Sequence, residues 1–139
     1  MNALTMSSPH SRSTALSPSR AGKIVTALPV LFLAFDIVIK LMRIDPVLDS
    51  FRELGYPVSL AIWIGTLELV CLALYLIPRT AVLGAILLTG YLGGAIATHV
   101  RLGNPLFSHV LFPIYVALPL WAGLYLREER LRALIPVRK

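Results

Sequence analysis

The sequence predicts an all-α protein: a four-transmembrane-helix bundle with a short amphipathic interfacial helix between spans one and two. Three observations carry that prediction. Hydrophobic residues make up 57% of the chain and charged residues 14%, with a mean hydropathy of +0.78, whereas soluble domains average about 45–50% apolar and about 25% charged. The apolar residues gather into runs of about 20, and a helix of that length covers the roughly 30 Å of a bilayer's hydrocarbon core. The breaks between runs carry proline, glycine and asparagine, and the basic residues lie mainly in the tails that flank them. This is helix-boundary chemistry combined with the charge distribution of a membrane protein.

The same pattern divides the chain into a disordered cytoplasmic tail over 1–22, a four-helix membrane domain over 23–126 and a basic cytoplasmic C-terminal tail over 127–139. Residues 1–22 are rich in Ser, Thr, Pro and Arg and contain no acid, so they lack the apolar mass to fold. No continuous apolar stretch precedes Lys23, which argues against a secretory signal. An Arg- and Ser-rich transit peptide fits the composition, but the prolines and weak amphipathicity count against it.

Segment one runs from about Lys23 to Met42, segment two from Val58 to Ile77, segment three from Arg79 to Val100 and segment four from Pro105 to Leu126. Pro57, Pro78 and Pro105 stand where a first helical turn accepts a residue without an N–H, and Asn104 suits an N-cap. Only Pro78 and Arg79 separate segments two and three, which makes those helices antiparallel neighbours. Pro113 and Pro119 each remove a backbone donor, so the last span is expected to kink. In the first loop, Asp45 and Pro46 open a short helix that Gly55 closes. Its Val47, Leu48, Phe51 and Leu54 share one side, as for a helix lying on the membrane surface, with Tyr56 as an interfacial aromatic. A soluble lid is the plainer alternative.

Orientation follows from Lys and Arg. Nine of them lie in the two tails and the second loop, three (Arg43, Arg52 and Arg101) lie on the opposite side, and Lys40 is within the first span. The positive-inside rule therefore puts both termini in the cytoplasm of a multi-pass protein of the cell membrane.

Charges within spans are costly, about 2.5–3.5 kcal/mol each on insertion scales. Asp36 and Lys40 are spaced for an intrahelical pair, acid first. Glu68 falls near the middle of helix two without a partner on its own helix. Tyr91 lies within helix three, His99 and Arg101 at its end, and His109 one turn into helix four. Together they outline an outward-opening polar pocket, with Asp36 and Glu68 beneath and Lys40, His99, Arg101 and His109 around the mouth. The bland readings stand beside this one: Asp36 and Lys40 neutralise each other, Lys40 snorkels, and His99 and Arg101 hold lipid headgroups.

His99 and His109 fall at one membrane face, so a shared ligand is geometrically open, but a two-histidine haem asks for facing, buried positions. No metal site is expected. Cys71 is the only cysteine, which removes internal disulfides and dithiol chemistry. The chain has no P-loop, no GxGxxG and no HExxH. Its basic residues alternate with spans, which argues against nucleic acid as a partner. Gly90 and Gly94 form a GxxxG with Gly93 beside it and Ala97 continuing the small face, a row expected to pack against a helix of the same bundle or of a second copy.

These residues also carry a resemblance. Phe35 and Lys40, the loop Leu54-Gly55-Tyr56-Pro57, Gly65 with Glu68-Leu69, Pro78-Arg79, Leu83-Gly84-Ala85 and the run Gly93-Gly94-Ala95-x-Ala97-Thr98-His99-x-Arg101 resemble the DoxX-like family of small four-helix membrane proteins. The resemblance covers about 23–135, including Arg130-Leu131-Arg132. Asp36 departs from the pattern, which commonly has a small residue there. The resemblance implies kinship with a membrane subunit of a thiosulfate:quinone oxidoreductase and with membrane complexes handling thiol and oxidative stress; it transfers no catalytic residue, and a shared fold does not settle function.

Three functions follow as expectations. The first is a membrane subunit or accessory of a thiol- or quinone-linked redox system, with an oxidoreductase partner or a quinone-like ligand in the pocket and any redox cofactor borrowed. The second is a small-molecule carrier or binding module, complete only as a homo-oligomer because no inverted repeat is visible. The third is a ligand-free scaffold whose basic tail holds anionic membrane lipids.

Overall fold

The computed structural model describes residues 17–134. It is all-helical: α1 (Pro18–Leu41), α2 (Asp45–Glu53), α3 (Leu60–Leu76), α4 (Ala81–Arg101), a π-helical turn (Leu106–Val110), α5 (Phe112–Arg127) and α6 (Glu129–Leu134). α1 packs on α3 and α5, and α4 packs on the same pair. The four long helices thus close a ring around a core that includes Leu33, Leu88, Leu120 and Leu124.

Three helical runs are long and apolar enough to cross a membrane: α1 with 24 residues, α4 with 21 and Leu106–Arg127 with 22. The expected second span is shorter. α3 has 17 residues, about 26 Å at 1.5 Å per residue. The outer faces remain apolar, with Leu28 at 78% and Trp63 at 71% exposure. A chain that turns such side chains outward on helix after helix is a membrane protein, because lipid rather than water meets those faces.

α1 begins inside the stretch expected to be a disordered tail. Ser17 caps it, its Oγ accepting from the Arg20 N–H at 3.4 Å, and Pro18 occupies the first turn. The early start is fixed by packing on α5: a Cβ at Gly22 would lie 2.6 Å from the Gly123 carbonyl oxygen, and one at Gly123 would lie 2.0 Å from Thr26 Oγ1. Backbones approach that closely only where both residues lack a side chain. The rest of the expected tail, 1–16, and the end of the C-terminal tail, 135–139, lie outside the described residues. Within that C-terminal tail, Glu129–Leu134 is helical and Leu131 joins the core.

The last span does not simply kink at Pro113. It divides into the π-helical turn and α5, and Pro113 sits in the first turn of α5, where its missing N–H is not needed. Pro119 remains within the helix. Asn104 does not cap; Pro105 precedes the turn and the Asn104 side chain goes elsewhere. α2 forms over the expected residues, with Ile44 rather than Asp45 at the cap position. Its apolar face is turned onto its own chain rather than laid on lipid: Val47 and Phe51 are buried with Ala61 of α3. Leu48 and Leu54 of the same stripe stay partly exposed.

Candidate functional site

The helix ring does not fill its interior. A cleft of about 910 Å³ runs between α1, α3, α4 and the start of α5, and α2 reaches it through Phe51 and Leu54. Most of its wall is apolar, for example Phe32, Leu33, Ile64 and Val116. The glycines of α4 help keep it open. Gly90 and Gly94 line it, and a Cβ at Gly90, Gly93 or Gly94 would meet nothing within 4 Å. The row expected to pack a neighbouring helix therefore packs none among the described residues. The close approaches fall instead at Gly22, Gly123, Gly84 and Gly65, where the partner backbone or side chain comes from another helix.

One side of the cleft is polar. Lys40 of α1 donates to Glu68 Oε2 of α3 at 2.8 Å, to Tyr91 Oη of α4 at 2.7 Å, and to Asp36 one turn earlier on its own helix. An ammonium has three N–H donors, and all are used. Tyr91 in turn donates its hydroxyl to Glu68 Oε2 at 2.7 Å. Three helices are thus joined through one lysine. Gly65 makes the approach possible, since a Cβ there would stand 2.9 Å from the Lys40 Cβ.

Burial within the cluster is graded. The Glu68 side chain is 0% exposed, Lys40 12% and Asp36 27%. Lys40, Asp36 and Tyr91 line the cleft, whereas Glu68 lies behind them. Asp36 is the most open of the three charged residues.

His99 lines the same cleft; Arg101 and His109 do not. Asn104 Nδ2 donates to His99 Nδ1 at 2.8 Å, Ser108 Oγ and His109 Nδ1 share a hydrogen bond of 2.8 Å, and the two imidazoles meet edge to face with centroids 5.5 Å apart. Both border a second, smaller cleft of about 390 Å³ together with Glu53. His109 is exposed, so the pair is not the buried, facing arrangement of a two-histidine haem site. Among the described residues, no group of three or more His, Cys, Asp and Glu gathers as a metal site would require. Arg101 donates to the Leu54 carbonyl at 2.7 Å and lies 5.8 Å from the centre of the Tyr56 ring.

Residues 24–123 match the model of the DoxX-like family. The chain belongs to the DoxX-like family. No curated protein and no solved structure matches it.

In this DoxX-like chain two of the stretches that carry the resemblance, the LGYP loop and the Gly93–Arg101 run, are joined to each other. Tyr56 of the LGYP loop donates to Thr98 Oγ1 at 2.7 Å, while Thr98 donates to the Gly94 carbonyl at 2.9 Å. With the Arg101–Leu54 bond, the end of α4 holds the corner between α2 and α3. Leu54, Tyr56, Gly94, Ala95, Thr98 and His99 all line the cleft, so the DoxX-like signature is the wall of a cavity. The sequence assigns Tyr56 to the membrane interface and offers Thr98 only as part of the Gly93–Arg101 run, with no role of its own. Threonine alone gives little signal, and only the fold shows what its hydroxyl meets.

Proposed function

We propose that this protein is a four-span integral protein of the cell membrane, with both termini cytoplasmic, that binds a small, largely apolar molecule in its interior as part of a thiol- or quinone-linked redox system. A quinone-like ring is the ligand class that suits the cleft best. The observation that carries the reading is an apolar cleft of about 910 Å³ with Lys40 and Tyr91 in one wall. Ligand pockets are mostly apolar with a few placed polar groups that orient the ligand, and a carbonyl oxygen entering the cleft would take the Lys40 N–H that Asp36, the most open partner, now accepts. Family membership supports the redox setting, by analogy with the oxidoreductase subunit for which the wider group is named.

The fourth span is α3. It lies between α1 and α4 in the ring, and the flanking Val58, Ser59 and Ile77 bring its apolar length close to that of its neighbours. The excess of Lys and Arg in the tails and the second loop supports the cytoplasmic termini. The outward side is then the one bearing Arg43, Arg52 and Arg101.

Native mass spectrometry of gently solubilised protein tests the ligand reading. Wild-type protein is expected to carry a retained small molecule of quinone class, and Gly94→Phe, which fills the cleft, to lose it. A cleft empty or occupied only by phospholipid in the wild type overturns the reading. A defined protein partner with an empty cleft would point to the scaffold role instead.

A further inference from the structure

The polar cluster has more negative than positive groups. Asp36 and Glu68 bring two carboxylates to the one ammonium of Lys40. Among the described residues no second cation pairs with either carboxylate: the remaining titratable neighbours are Tyr91 on α4 and Cys71 on α3, and the charged residues of α2 (Asp45, Asp49, Arg52 and Glu53) are all exposed. Glu68 also uses only one of its oxygens. Oε2 accepts from both Lys40 and Tyr91, while Oε1, fully buried, has no hydrogen-bond partner among the described residues.

A buried carboxylate with a bare oxygen that must share its one cation with a second carboxylate is costly to hold, and such groups neutralise by taking up a proton. A metal cation is a poor alternative. It would sit beside the Lys40 ammonium, and Oε1 has no second oxygen ligand at hand. We propose that the cluster of Asp36, Lys40, Glu68 and Tyr91 is a proton-binding site that keeps one exchangeable proton at Glu68 Oε1. Glu68 is then a neutral acid, Lys40 and Asp36 form the ion pair, and the cluster carries no net charge. The site communicates with the cleft, because Lys40 and Tyr91 touch both Glu68 and the cleft space. A molecule that takes the place of Asp36 as an acceptor at Lys40 is linked through the ammonium to the Glu68 carboxyl.

Difference infrared spectroscopy on the purified full-length protein, in water and in D₂O, tests this without any ligand. Exposed carboxyls are ionised above about pH 5–6, so at neutral pH the wild type should show one protonated-carboxyl carbonyl band, shifted in D₂O. Glu68→Gln should abolish it. Asp36→Asn should abolish it as well, because one carboxylate then faces one ammonium and Glu68 ionises; this variant alters a part-exposed side chain and should fold if Glu68→Gln does not. Absence of the band in the wild type overturns the proposal, as does its survival in Glu68→Gln or in Asp36→Asn. Because nothing need occupy the cleft, failure here leaves the ligand reading standing, and failure of that reading leaves this one.

Discussion

Gly65 of α3 and Lys40 of α1 touch so closely that a Cβ on the glycine would lie 2.9 Å from the lysine Cβ. The contact sets the distance at which the lysine can serve Glu68 one turn further along α3. Gly65→Val should therefore cost about 1–3 kcal/mol, the usual penalty for overpacking. It should also separate Lys40 from Glu68. Thermal unfolding in detergent checks the stability. Unchanged melting would mean that the seam yields without strain.

The buried pair itself gives a second prediction. Lys40→Met leaves the ionised carboxylate of Asp36 without its cation, and breaking a buried pair from one side costs about 3–5 kcal/mol. The double variant Lys40→Met/Asp36→Asn removes the ionised carboxylate left behind and should recover much of that loss. A double-mutant cycle on unfolding free energies measures the coupling. Additive losses would show that the two residues do not stabilise each other.

Glycines in this chain fall into two classes with opposite expected responses. Gly123→Ala places a methyl 2.0 Å from Thr26 Oγ1 and 2.8 Å from the Gly22 carbonyl oxygen, so α1 and α5 must separate and the melting temperature must fall. Gly94→Ala meets nothing within 4 Å, and helical alanine should gain about 0.5–1 kcal/mol over glycine. Parallel melting curves decide between these outcomes. A destabilised Gly94→Ala would reveal a neighbour at that face, and a second copy is the first candidate.

Arg101 ties the end of α4 to the Leu54 carbonyl. Gly55, next in the chain, has φ +74° and Arg43, at the other end of the α2 segment, has φ +52°. With the bond gone, the corner between α2 and α3 should open more often. Arg101→Ala is expected to speed amide exchange at 54–56 without changing exchange in the α1–α5 core. Hydrogen exchange with mass spectrometry reads both regions, and equal rates at the corner would assign Arg101 to another role.

Topology yields the last prediction. Cys71 is buried at 2% exposure, so Ser50→Cys supplies an accessible thiol over a low background. An impermeant reagent should label it on intact cells. Labelling only after lysis would reverse the orientation.

Much of this architecture is legible in the chain. Apolar runs and the prolines between them mark the long helices within a few residues, since helix length and membrane thickness are matched by physics. The α2 stripe is legible too, though its destination is not: Val47 and Phe51 read as lipid-facing until Ala61 is seen beneath them. Asp36 and Lys40 pair visibly at a spacing of four. Glu68 looks unpartnered because its partners are 28 and 23 residues away. Gly90 and Gly94 read as packing because a small-residue row has the same appearance whether it meets a helix or a void.

The sequence by itself determined the solvent, the helical class, the approximate ends of the helices and the residues that had to be explained in an apolar interior. Composition and periodicity suffice for those, because they depend on each segment and its surroundings. Only the tertiary structure decided that Lys40 would gather Asp36, Glu68 and Tyr91, that Arg101 would leave the site to hold a loop, and that the α4 glycines would border space. Those outcomes depend on which helix faces meet, and that is set by close contacts such as Gly22 with Gly123 and Gly65 with Lys40, each made between residues distant in the chain.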